Sequence, residues 1–178
     1  DLVATDNYKG GYEGTKYLIS SGCRRIAFVS GWMKLFSSKE RFRGYKEALE
    51  EEGIKIEKEI IADGDTSEEF GYTAIKKILS RNEIDGIFSA NEPITIGILR
   101  ALKELEINIP QDIKMASFDE PHLPSGLNYP IAFISQPRYE IGKRAAQLLL
   151  ERIKEKGKSQ KSPYRKIFIA PELKEPNI

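Results

Sequence analysis

Apolar positions along the chain follow two alternating patterns. Short β-type runs at residues 2–5, 26–30, 59–62, 86–89, 113–118, 131–135 and 166–170 are separated by longer stretches of helical period. Those stretches cover residues 8–21, 38–52, 66–80, 93–105 and 138–156. Within 66–80 the apolar residues Phe70, Ala74, Ile75, Ile78 and Leu79 recur at the i, i+4, i+5, i+8 spacing of one helix face. Gly22 and Gly53 end the first two helices, and Pro93 is tolerated in the first turn of the fourth. Residues 119–130 hold three prolines and read as a loop, and residues 157–162 read as a solvated turn.

Strands separated by single helices need right-handed crossovers, which predicts an α/β fold: a doubly wound parallel sheet with helices on both faces. Such sheets bind ligands just beyond the C-terminal ends of their strands, at a topological switch point. The residues expected there are Asp6 and Asn7, Gly31 and Trp32, Asp63 to Thr66, Asn91 and Glu92, and Asp119 and Glu120. Carboxylates and amides hydrogen-bond hydroxyl groups, and an indole offers a flat face to a sugar ring, so the set suits a polyhydroxylated small molecule. The same Asp and Asn residues also suit helix N-caps, and the pattern alone leaves both readings open.

Composition narrows the picture. A chain of 178 residues that is 40% hydrophobic can bury a core as one ordinary domain or two small lobes. The 28 Lys and Arg are interleaved with 27 Asp and Glu, for a net charge of +1. A segment that grips DNA carries a basic excess or stripe, so DNA contact is not expected from this segment. No apolar run approaches the roughly 20 residues that cross a bilayer, and no membrane contact is expected. One cysteine excludes a disulfide within the chain and fits a reducing, cytoplasmic setting. The start lacks an initiator methionine and signal-peptide features, so a fragment is expected.

No catalytic arrangement stands out, and none is expected. His122 is the one imidazole and lies between prolines, without a visible partner for general-base work. Cys23 precedes a buried strand and reads as a packed thiol. A single His and a single Cys make a structural zinc site implausible, and no metal or cofactor is expected. Gly10, Gly11 and Gly14 superficially suggest a phosphate loop but lie inside a helical stretch, where close packing of helix on sheet explains them.

Read in order, the strand-end segments form a set. They are Val-Ala-Thr-Asp-Asn with Gly10-Gly11, the run Tyr17 to Gly31 with Gly-Cys-Arg-Arg-Ile-Ala-Phe-Val-Ser-Gly at its end, and Arg41-Phe-Arg-Gly-Tyr. Ala90-Asn91-Glu92 with Gly97, Ile109-Pro-Gln-Asp-Ile, Ser117-Phe-Asp-Glu, Ile134-Ser-Gln-Pro and Pro171-Glu-Leu complete it. From end to end this closely resembles the effector-binding core of the lactose/galactose repressor (LacI/GalR) family of bacterial transcription regulators. The resemblance implies a periplasmic-binding-protein-like fold of two α/β subdomains with a ligand cleft between them.

It further implies that most of this chain is the C-terminal subdomain, residues 23–135 plus 161–178. Residues 1–22 and 136–160 would be remnants of the N-terminal subdomain, with the DNA-binding headpiece absent. The helices at 8–21 and 138–156 would then have lost sheet partners and should expose apolar faces. The implied function is effector sensing, most simply of a sugar or sugar derivative, with ligand in the cleft altering operator affinity. The implied partners are that effector, a second copy in a homodimer, and operator DNA through the absent helix-turn-helix. The 119–130 loop and the helix after Asn91 are the interface candidates. The alternative on the same fold is a periplasmic or lipoprotein sugar receptor of a transport system.

By resemblance, the effector-binding arginine is Arg41, whose fork can grip vicinal hydroxyls or a carboxylate. The cleft amide is Asn91, the cleft carboxylate Asp119, Asp6 is the acidic residue from the N-terminal side, and Gln136 lies at the crossover. Thr66 stands where an aromatic is common in the family, so a stacking platform is sought elsewhere, with Trp32 as the candidate. Glu92 stands where Asp is usual.

Overall fold

In the computed structural model of the chain, residues 1–122, 129–155 and 163–176 are described. Central strands follow from runs with no polar face. β2 (Ile26–Gly31), β4 (Gly86–Ser89) and, apart from its first residue, β5 (Lys114–Phe118) are buried throughout. Strands buried on both faces are what a parallel sheet covered by helices requires. The larger sheet has the order β3-β2-β4-β5-β6-β8, with β3 (Ile61–Gly64), β6 (Ala132–Ser135) and β8 (Glu172–Lys174). Five of its strands run parallel, and β8 pairs antiparallel with β6 at one edge.

Each face of this sheet has its own apolar layer. On one side α3 (Glu68–Leu79) and α4 (Glu92–Glu104) pack Ile75, Ile78, Ile94 and Ile98 against Val29 and Ile87. On the other, α1 (Asn7–Ser20) and α2 (Phe36–Glu51) pack Leu18, Tyr45 and Leu49 against Phe28, Phe88 and Phe118. The Phe28 and Phe88 rings stack at 5.6 Å on neighbouring strands. Burying one such side chain stabilises the fold by about 1.5–3 kcal/mol.

The expectation that the helix at 8–21 has lost its sheet partner is not met. α1, at the position of the 8–21 helix, has not lost its sheet: Gly10 and Gly14 seat it directly on Phe118 and Phe88 of the larger sheet. It packs there because those glycines, with Gly11, flatten one face of the helix. The final stretch also divides. β7 (Lys166–Ile169) pairs in parallel with β1 (Leu2–Thr5) in a separate two-stranded sheet, whereas β8, which the periodicity misses, joins the larger one. Three residues are too few to show a period.

α5 (Arg138–Glu155) does match its expected exposure. It buries Leu148, while Leu149, Leu150 and Ile153 are more than half exposed. The expected strand at 59–62 begins two residues later, because Lys58–Ile60 forms a 3-10 turn. The expected turn at 157–162 lies outside the described residues, as does the middle of the 119–130 loop.

Candidate functional site

The chain leaves β2 towards β3 on one side and enters β4 on the other, so the strand order reverses between β2 and β4. α2 and α4, which follow these two strands, lie on opposite faces, and that divergence opens a crevice beyond Gly31 and Ser89. Gly31 keeps it open. A Cβ there would come within 2.7 Å of Thr66 Cγ2, with Ser38 Oγ at 3.5 Å and Asn91 Nδ2 at 3.8 Å. Thr66, Ser38 and Asn91 therefore converge on one spot from three separate elements.

Arg41 is carried into the same region by helix packing. Gly11 of α1 lies against the backbone of Arg41, and Gly44 of α2 lies against the backbone of Tyr8 and Tyr12. Without side chains at those positions the helices approach closely, and the guanidinium stacks 3.4 Å from the centroid of the Phe118 ring. Its Nε–H donates to Asn7 Oδ1 at 2.8 Å, and one Nη donates to the carbonyl of Ala90. Asn7 is itself fixed by its Nδ2, which donates to the Thr5 carbonyl at 3.0 Å. Burial lowers the Arg41 pKa to about 10, against the opposing pull of the Asp119 charge, so the group is still a cation at neutral pH.

Asp119 follows β5 with a φ of 74°, a left-handed conformation that Asp tolerates better than most residues. Such conformations cluster at functional sites and cost on the order of 1 kcal/mol or more. Both carboxylate oxygens accept from Gln136 Nε2, at 2.9 and 2.8 Å, and Oδ1 also accepts from Arg138 at 3.1 Å. Gln136 Oε1 in turn accepts from the Thr5 hydroxyl at 2.6 Å. This chain of bonds ties the end of β1, in the smaller sheet, to the end of β5 in the larger one.

Beneath the crevice lies a relay of buried hydroxyls. Thr95 Oγ1 donates to Ser89 Oγ at 2.8 Å or to the Asn91 carbonyl at 2.9 Å, and it lies 2.7 Å from Ser117 Oγ. Ser117 donates to the Asp119 carbonyl at 2.8 Å. The relay holds the backbone of both cleft residues from below. Replacing Thr95 with valine keeps the shape but removes the hydroxyl that joins Ser89 to Ser117, leaving Ser89 Oγ a longer bond of 3.2 Å to the Asn91 carbonyl. The expected cost is about 1–3 kcal/mol, read as a lower urea midpoint at unchanged m-value.

Arg41, Asn91, Asp119 and Gln136 are thus brought together, with Thr66 at the crevice. Asp6 caps α1, accepting from the Lys9 N–H at 2.9 Å, and Asn91 caps α4, accepting from the Ile94 N–H at 3.0 Å. Capping uses one oxygen of each, so Asp6 Oδ2 and Asn91 Nδ2 keep their capacity, and the two readings of these residues do not compete. Trp32 is not joined to the group. It is 47% exposed, and Lys34 of its own loop lies 4.3 Å over its ring.

Residue-type reasoning missed Ser38, Thr95 and Arg138, and it left Asn7 as a strand-end polar residue without a role. Asn7, Thr95 and Arg138 each have a partner remote in the chain, Arg41, Ser117 and Asp119 respectively, which local spacing does not signal. One unexpected contact crosses between sheets: Phe36, at the start of α2, stacks on Phe168 of β7 at 6.1 Å. A cavity of about 740 Å³ lined by Lys58, Asp63, Phe70, Lys77 and Arg81 lies along β3 and α3, and of the strand-end residues Asp63 reaches it. Glu92 pairs with His122, whose Nδ1 is 2.6 Å from its carboxylate. Burial raises the Glu92 pKa, but the His122 contacts outweigh it and the net shift is downward. Among the described residues no group of three or more His, Cys, Asp and Glu could hold a metal ion. Cys23 is buried, with its thiol pKa raised to about 11 by desolvation, so it is a packed thiol rather than a nucleophile.

Comparison with known proteins identifies the family. Residues 15–175 match the family model of the periplasmic binding protein-like domain. The chain is similar to the HTH-type transcriptional repressor PurR of Histophilus somni, at 33% identity over 97% of this chain and 51% of the repressor. It spans about half the length of that relative. Among solved structures it is similar to a complex of the transcriptional regulator CelR with cellobiose, with a TM-score of 0.88 and 27% identity over 98% of this chain and 52% of that one. It is also similar to a LacI family transcriptional regulator from Enterococcus faecium with bound ribose, with a TM-score of 0.86 and 27% identity over 99% of this chain and 64% of that one. The chain belongs to the periplasmic binding protein-like domain family, in the form of the effector-binding core of the LacI/GalR regulators.

Proposed function

We propose that this chain is the sensing part of a transcription regulator and binds a polyhydroxylated small molecule, a sugar or sugar derivative, at the β2–β4 switch point. The observation that carries this is the convergence of Arg41, Asn91, Asp119 and Gln136 at the strand ends, bonded across to Thr5 of the smaller sheet. Acceptors on Asp6 and Asp119 and donors on Asn91 and Arg41 match a ring of hydroxyl groups, each of which both donates and accepts. Two regulators of similar structure hold cellobiose and ribose, which supports a sugar.

Because the bonds run from β1 through Gln136 to Asp119, a ligand that competes for Asp119 loosens one set of links between the sheets and supplies another. It thereby favours one arrangement of the lobes, by no more than its difference in affinity for the two. In this reading β1, β7 and α5 belong to a second lobe completed by sequence outside this chain, and a DNA-binding part elsewhere reports the change. Assembly as a homodimer through α4 and the 119–130 loop, and a cytoplasmic location, belong to the same reading. Among the described residues no helix is long and apolar enough to cross a membrane.

The test is a thermal-shift panel of mono- and disaccharides, sugar phosphates and purines on the full protein. A ligand at about 100 times its Kd adds about 2.7 kcal/mol, a shift of several degrees. A sugar or sugar derivative is expected to produce it. A shift from purines alone would overturn the sugar reading.

A further inference from the structure

A second concavity runs along the flank of the larger sheet. β3 stands first in the strand order and, among the described residues, pairs only with β2. The cavity of about 740 Å³ opens between this edge strand and α3. Its floor is apolar. Phe70, Ala74 and Ile78 recur along one stripe of α3, and Ala74 and Ile78 also belong to the core layer beneath. Over this floor stand Lys58 of the 3-10 turn, Lys77 in the last turn of α3 and Arg81 just past it. None of these three side chains has an ion pair or hydrogen bond among the described residues. The helix dipole accounts for cations at the end of α3. It does not account for Lys58, which comes from another element and meets them at the same cavity.

This mixture decides what the cavity takes. A polyol would set most of its hydroxyls against Phe70, Ala74 and Ile78, where they find no partner. A purely apolar molecule would leave the cations unused. Glu59 and Asp63 also line the cavity, so three cations face two carboxylates and one positive charge is left over. That balance suits a single carboxylate better than a doubly charged phosphate, and the volume suits a ring or short chain behind it.

The wall nearest the strand ends is shared with the crevice. Asp63 accepts from the Met33 N–H at 3.2 Å, in the loop that leaves β2. A Cβ at Gly64 would come within 2.3 Å of the Phe70 ring, and Gly64 is in register with Gly31, on which Thr66 closes. A ligand that shifts Phe70 or Asp63 therefore shifts backbone that lines the crevice.

We propose that the cavity between β3 and α3 is a second effector site. It takes a small apolar monocarboxylic acid, with the carboxylate among Lys58, Lys77 and Arg81 and the body on Phe70, Ala74 and Ile78, and its occupancy changes ligand affinity at the crevice. The site is independent of the sugar reading; only the coupling rests on it.

The test is calorimetry on the full protein with phenylacetate, cinnamate and octanoate, each beside its neutral amide. At least one acid is expected to bind at least about tenfold more tightly than its amide. The Lys77→Gln, Arg81→Gln double variant is expected to lose that advantage. Both side chains are exposed, so thermal stability should hold and affinity for the sugar chosen by the thermal-shift panel should change by less than about twofold. With the acid at saturation, sugar affinity is expected to change at least about threefold and then level off, and the sugar should change acid affinity by the same factor. Failure of every acid to outbind its amide, or an advantage that survives in the double variant, would overturn the site. Sugar affinity that the acid leaves unmoved would overturn the coupling. Sugar affinity that keeps falling as acid is added would place the acid in the crevice and overturn both. A panel that selects no sugar would overturn the sugar reading, while the acid and amide measurements still decide the site.

Discussion

Replacing Arg41 with alanine is expected to weaken effector binding about 100-fold, a loss of about 2.7 kcal/mol, without unfolding the protein. The guanidinium is enclosed over Phe118 and held by Asn7 and the Ala90 carbonyl, so it reaches the ligand already ordered. A pre-placed, partly desolvated fork forms stronger bonds than a solvated one and has little entropy left to lose. Arg41→Lys keeps the charge but cannot bond Asn7 and Ala90 while also facing the crevice, so most of the loss should remain. Calorimetry with the ligand selected by the thermal-shift panel reads both variants. Unchanged affinity in the alanine variant would remove Arg41 from the site.

Gly44→Val is expected to be the most damaging single change to stability, at about 3 kcal/mol or more. A Cβ at Gly44 would run into the backbone of Tyr8 and Tyr12, and one at Gly11 into the backbone of Arg41. Backbone cannot rotate aside as a flexible side chain can, so the helices must separate. Separation also withdraws Arg41 from the crevice, and ligand affinity should fall along with the urea midpoint. Gly53→Ala is the contrast. Gly53 has a φ of +65° but open space around it, so only the left-handed backbone opposes the change, at about 1 kcal/mol. If Gly44→Val matched Gly53→Ala in urea, close α1–α2 contact would not be what holds this layer together.

Much of the fold was legible along the chain because burial in a parallel sheet leaves a strong local trace. The all-buried runs of β2 and β4 and the helical period of residues 66–80 need no knowledge of their neighbours. β8 was not legible: three residues on an antiparallel edge carry no pattern of their own, and their pairing with β6 spans some 40 residues of chain. The placement of α1 failed for a related reason. Its glycines announced close packing, but not whether the surface beneath them was the larger sheet or the smaller one.

The candidate site divides in the same way. Asp6, Asn91 and Asp119 sit just beyond strand ends, so periodicity alone put them near a binding edge. Asn7, Ser38 and Thr95 matter through Arg41, Gly31 and the pair Ser89 and Ser117, and those contacts exist only once the chain has folded. The indole of Trp32 looked suited to stack on a sugar; beside Gly31 it is half exposed, with Lys34 over its ring, a contact that no pattern along the chain announces.

Strand and helix alternation, the lack of a basic stripe and the polar residues at strand ends are properties of neighbours along the chain. Local sterics and solvent preference are enough to establish them. Which strand lies beside which and where the order reverses are set by long-range packing. There the energy is shared among side chains far apart in the chain, and only their assembly decides it.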